Sequence, residues 1–161
     1  MFLHRDWFKG IVGKEPSTAQ VLSGLANSSL FLYFGHGGTE KYVTGPELAN
    51  TSSSNSGRLP PVLLFGCSSG FLKPCGNFDP RGIALEYLIA GSPAVLGNLW
   101  DVTDVDIDRY AKDLLERSGV FGDSDPVDLM AAAAKSRDIC QLPYLVGAAP
   151  VVYGLPVVIS K

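Results

Sequence analysis

Charge is scarce in this chain of 161 residues: Asp, Glu, Lys and Arg together make up 18%, and the formal net charge is −3. No run of Lys or Arg occurs, so the electrostatic footprint of a direct nucleic-acid partner is missing. Cysteine is scarce too. Cys67, Cys75 and Cys140 are too few for a disulfide framework and leave one thiol over, which points to a reducing compartment. Histidine occurs only as His4 and His36. No apolar run approaches the ~18 residues of a membrane span, so no membrane association is expected. The opening fifteen residues carry charges inside their apolar stretch, unlike a secretory leader. No metal-ligand cluster or cofactor motif stands out, and neither metal nor cofactor is expected.

What is present is enough for one compact domain with a real core, at 46% hydrophobic content. Four short apolar runs stand out: Ser29–Phe34, Pro61–Phe65, Ala94–Leu99 and Val151–Ile159. None alternates, which suits strands buried on both faces of a parallel sheet. Helical patterns fall between them. Ser17 to Asn27 has an N-cap serine. Pro80 to Ala90 carries a broad apolar stripe closed by Gly91. Thr103 to Ser118 opens on a Thr103/Asp106 capping box and closes at Gly119. Asp125 to Ile139 has Pro126 at its first position. Asn50 to Gly57 reads as a polar low-complexity loop of weak order. The alternation predicts an α/β fold. Four strands make a thin sheet, so residues 1–161 are expected to be the C-terminal part of a larger domain, with further strands upstream.

Two of the strands run straight into glycine-flanked reactive residues. Ser29–Phe34 leads into Gly35-His36-Gly37-Gly38, and Pro61–Phe65 leads into Gly66-Cys67-Ser68-Ser69-Gly70. In a parallel sheet both segments leave by the carboxyl edge, where open α/β sheets place their sites. Neighbouring strands lie roughly 5 Å apart, so an imidazole and a thiol at their tips can meet. A thiolate is the attacking species, and the imidazole takes its proton. The amides of Gly37 and Cys67 are candidate oxyanion donors. Singly, a histidine between glycines is often just a loop residue, and a cysteine after an apolar strand is more often a core thiol. Their placement at two strand ends favours chemistry. Gly66 to Gly70 also fits the G-x-S-x-G nucleophile elbow, with Ser68 as the serine. Both histidines precede Ser68, against the chain order of that fold. A dinucleotide site is weaker still, since Gly35–Gly38 lacks the later glycine and the acidic partner.

The blocks YFGHGG (Tyr33–Gly38), LLFGCSSG (Leu63–Gly70) and GSPAVLGNLWDVTDVDIDRY (Gly91–Tyr110) resemble the C-terminal protease domain of the separase family. The resemblance implies a caspase-like, three-layer fold with a mostly parallel sheet flanked by helices. It implies a cysteine endopeptidase with a His36–Cys67 dyad. Its substrate would be the kleisin subunit of cohesin, cut after Arg to release sister chromatids. Securin would be the inhibitory partner, the remainder of a long separase chain would be joined to this part, and the protein would work in cytoplasm and nucleus. The family's reader of the P1 Arg maps onto Asp108, with Asp104 one turn earlier on the same face. Trp100, at the end of its strand, would be an apolar or cation–π wall for the Arg stem. Asp106 is assigned to helix capping. The nearest alternatives are an incomplete, inactive protease-like interaction fragment and a CHAT-type cysteine protease with another substrate.

Overall fold

The computed structural model describes residues 9–121 and 128–159. In chain order its elements are α1 (Thr18–Ala26), β1 (Phe31–Tyr33), α2 (Gly45–Ser54), β2 (Val62–Leu64), β3 (Lys73–Cys75), β4 (Phe78–Arg81), α3 (Ile83–Ile89), β5 (Ala94–Asn98), α4 (Asp104–Arg117), α5 (Leu129–Ser136), a 3-10 turn (Arg137–Ile139) and β6 (Pro150–Gly154). The main sheet has the order β1-β2-β5-β6. The first three strands are parallel and β6 is antiparallel to β5. A small antiparallel hairpin, β3–β4, stands apart from it.

The non-alternating runs become strands with helices on both faces. Val62, Leu64 and Val95 point into one core with Val21 and Leu25 of α1, Leu48 of α2 and Tyr87 of α3. Leu63, Ala94 and Leu96 point the other way, into a core with Tyr110 and Leu114 of α4 and Leu129 and Ala132 of α5. Period-two alternation therefore divides each strand between two apolar layers instead of between core and water. The result is a mixed α/β fold of three layers with a mostly parallel sheet, as expected from the sequence.

Several local expectations are corrected. Asn50 to Gly57 is not an irregular loop: α2 runs through it to Ser54. Its start signal lies upstream, where the Glu47 carboxylate accepts from the Thr44 amide and hydroxyl, both at 2.8 Å. The hydroxyls of Thr51, Ser53 and Ser54 donate to carbonyls four residues back, so the polar run is satisfied within the helix. Pro80 and Arg81 belong to β4, and α3 begins only after Gly82. Gly76, with φ +65°, turns the β3–β4 hairpin, which the sequence reading missed. The Thr103/Asp106 capping box does not form. Asp106 turns inward and accepts from the amides of Gln141 and Leu142 at 3.0 and 3.1 Å. Asp125 and Pro126, expected to open the last helix, lie outside the described residues; the helix seen there starts at Leu129 behind an Asp128 cap. Only the first half of the Val151–Ile159 run is strand.

Candidate active site

β1 and β2 are paired in parallel with Tyr33 opposite Leu64. His36 lies three residues beyond Tyr33, and Cys67 lies three residues beyond Leu64. The two residues therefore leave adjacent strands at the same height on the carboxyl edge. The chain stays in step past the strands. The Phe65 amide donates to Tyr33 O at 3.0 Å, and the rings of Phe34 and Phe65 stack with centroids 4.7 Å apart. One residue further on, a Cβ on Gly66 would collide with the carbonyl oxygens of Gly35 and Gly37. The turn carrying His36 thus rests directly on the turn carrying Cys67, and glycine at 66 is what allows it.

The His36 turn is fixed from both sides. The Tyr33 hydroxyl donates to the His36 carbonyl at 3.1 Å, and Gly37 takes φ +65°. Its imidazole is exposed at the mouth of a cleft of about 260 Å³ lined by Phe34, Gly35, His36, Phe65, Asp104, Ile107 and Asp108. Asp104 and Asp108, one turn apart on α4, bring two exposed carboxylates into the cleft that His36 lines. Phe34, Phe65 and Ile107 supply apolar walls that the sequence reading did not name. Trp100 is not among the lining residues. Its indole N–H donates to Leu145 O at 2.7 Å.

Cys67 is half-buried and is not among the residues that line this cleft. Its sulfur lies 3.4 Å from both the amide and the carbonyl of Val102, just ahead of α4. Around it the backbone is tightly engaged. The Ser68 amide donates to Trp100 O, Ser69 to Gly66 O, Gly70 to Asn98 O and Phe71 to Ser68 O. Ser68 adopts a left-handed φ of 53°, and its hydroxyl donates to Asp101 at 2.8 Å. That hydroxyl is committed to a carboxylate, which does not suit a nucleophile elbow. Among the described residues, the amide of Cys67 itself has no protein acceptor. Beneath the turn, buried Asn98 donates to the carbonyls of Phe65 and Gly66 at 3.1 and 3.0 Å. A polar residue closing an apolar strand was the available signal for Asn98, and the sequence reading passed over it. Among the described residues there is no cluster of His, Cys, Asp or Glu that could hold a metal, and no helix is long and apolar enough to cross a membrane.

The family model described as "Separin, protease domain" matches residues 1–107. Separin of Schizosaccharomyces pombe is 44% identical over 97% of this chain and 9% of its own length. Separin of Mus musculus is 43% identical over 97% of this chain and 7% of its own. In a crystal structure of the Saccharomyces cerevisiae separase–securin complex, one chain superposes with a TM-score of 0.81 at 43% identity, covering 91% of this chain and 9% of that one. The chain thus spans about a tenth of the length of the relatives it matches.

Proposed function

The chain belongs to the separin protease-domain family, and on that premise we propose that it carries the Cys–His dyad of a cysteine endopeptidase. The observation that carries this reading is the equal offset of His36 and Cys67 beyond the paired residues Tyr33 and Leu64. His36 takes the thiol proton, and the Cys67 thiolate attacks the scissile carbonyl. The oxyanion forms against the amides of Gly37 and Cys67. The protonated imidazole then gives its proton to the leaving amine. Water, activated by the same imidazole, hydrolyses the thioester and restores the thiol. The unengaged Cys67 amide, in a turn whose other amides are largely committed, supports its place as a donor.

The cleft supports Arg at P1. Phe34, Phe65 and Ile107 suit the aliphatic stem, and Asp104 and Asp108 suit a guanidinium fork. On this reading the substrate is the kleisin subunit of cohesin, cut after Arg to release sister chromatids in a protein working in cytoplasm and nucleus. Securin is the inhibitory partner, in line with the separase–securin complex among the structural relatives. Residues 1–161 act as part of one peptidase domain together with the remainder of a long separase chain.

The test is cleavage of an Arg-containing kleisin peptide by the protein that carries this chain. Cys67→Ser removes turnover and Cys75→Ser leaves it nearly unchanged. Substantial cleavage by the Cys67→Ser variant would exclude the dyad.

A further inference from the structure

Asn98 ends β5 and is fully buried. Its side-chain amide donates to the carbonyl of Phe65 at 3.1 Å and to that of Gly66 at 3.0 Å. Its backbone is held to the same turn. The Asn98 amide donates to Ser69 Oγ at 3.1 Å, and the Gly70 amide donates to Asn98 O at 2.8 Å. The Ser69 hydroxyl in turn donates to Leu64 O at 2.9 Å. Asn98 and Ser69, both buried, thus grip every residue of the Leu64–Gly70 turn except Cys67 and Ser68.

The side-chain orientation is dictated by its partners. Two carbonyls require the NH2 group, and exchanging O and N would set an acceptor against both. Asn98 Oδ1 is left buried without a partner, one of two such side-chain atoms among the described residues. An orphaned buried acceptor is costly, and an asparagine placed at that cost invites a reason beyond core stability.

Peptide geometry supplies the reason. The Gly66–Cys67 peptide is trans, as no cis bond occurs among the described residues, so its C=O and N–H point in opposite directions. Holding the Gly66 carbonyl onto Asn98 turns the Cys67 N–H the opposite way, away from Asn98. That amide has no acceptor within the protein among the described residues.

We infer that Asn98, seated by Ser69, is a positioning residue that sets the plane of the Gly66–Cys67 peptide and so aims the Cys67 amide at the oxyanion. The inference rests on the dyad reading above. It makes Asn98 act on the charge that develops during attack, through the backbone, without touching substrate or raising the reactivity of the thiol. Loss of its donors leaves the Gly66 carbonyl held only by the longer bond from the Ser69 amide, at 3.4 Å, and the preorganised donor becomes one that must be reorganised at the moment of reaction.

The test uses Asn98→Asp, which keeps the shape and leaves at most one donor, a carboxyl proton, where the NH2 group had two, in the protein that carries this chain. Three quantities are read: kcat per Cys67 titrated by alkylation, KM for an Arg-containing peptide, and the rate at which iodoacetamide modifies Cys67. The expected result is a fall in kcat of at least about tenfold, with KM and alkylation each within about threefold of the parent. Unchanged kcat overturns the assignment. So does a parallel fall in kcat and alkylation, which places the effect on the thiol, or an effect confined to KM, which places it on binding. If Asn98→Asp does not fold, Ser69→Ala decides by the same criteria, with a kcat loss of several fold expected. Failure of both variants to fold makes the pair a structural support and also overturns the inference. Cys67→Ser is run alongside. Turnover by that variant removes the dyad reading itself, whereas its inactivity beside a fully active Asn98→Asp removes only the role given to Asn98.

Discussion

A methyl group at Gly66 has no room, because the carbonyl oxygens of Gly35 and Gly37 occupy the place it would take. Those oxygens are backbone and cannot swing aside as a side chain would. Gly66→Ala must therefore lift the His36 turn off the Cys67 turn. We expect a loss of about 1–3 kcal/mol in urea unfolding and a loss of turnover larger than that stability change explains. A stable, fully active alanine variant would show that the two turns need not touch. The three thiols differ in environment in a similarly local way. Cys140 is buried, and burial together with the neighbouring Asp106 charge pushes its thiol above the ordinary range. Iodoacetamide near pH 8 should modify half-buried Cys67 and Cys75 well before Cys140, as peptide mapping over time would reveal. At this scale, His36 and Cys67 stood out as candidates because a glycine directly before a reactive residue at a strand end is visible in one dimension. The contacts of Asn98 did not, because its partners lie more than thirty positions away.

The helix α4 turns acids to two faces. Asp104 and Asp108 open onto the cleft, while Asp106 turns inward to hold the backbone of residues 141 and 142. A capping box and a buried loop clamp look alike in sequence, since both place an acid three residues after a threonine. Asp106→Asn should therefore cost more than a capping change, about 1.5–3 kcal/mol in denaturant unfolding, because a buried carboxylate loses charge-assisted bonds to two amides. Asp108→Asn should leave stability unchanged and lower kcat/KM for Arg peptides at least about tenfold. If Asp104→Asn does so instead, the guanidinium sits one turn earlier. In α3, burial raises the Tyr87 phenol to about 12, against the lowering effect of its hydrogen bond with Thr39. The folded state thus resists losing that proton. Its contribution is complete below the ordinary value of 10 and is lost as pH rises through about 12. Tyr87→Phe should flatten the alkaline limb of the stability profile by about 1.4 kcal/mol per pH unit across that window.

Across the whole molecule, the sheet was readable because its strands are buried on both faces and therefore lack alternation. Their order and the antiparallel sense of β6 were not, since direction depends on how Pro150–Gly154 pairs with Asn98–Ala94 and leaves no local trace. The polar half of α2 was misread for a related reason. Its helix signal sits at Thr44 to Glu47, outside the serine-rich stretch it governs. The candidate site could be proposed ahead of the fold because it needs only two strands to be parallel neighbours, and the pairing of Tyr33 with Leu64 meets that condition. The cleft then joins the edge of the sheet to α4, so the proposed base and the proposed substrate-reading acids come from different layers. The most direct measurement is labelling of the protein that carries this chain with an Arg-terminated peptidyl acyloxymethyl ketone, with the modified residue located by mass spectrometry. The account predicts a single label on Cys67, lost in His36→Ala and slowed in Asp108→Asn. A label on Cys75 or Cys140, or labelling of Cys67 at the parent rate without His36, would contradict it.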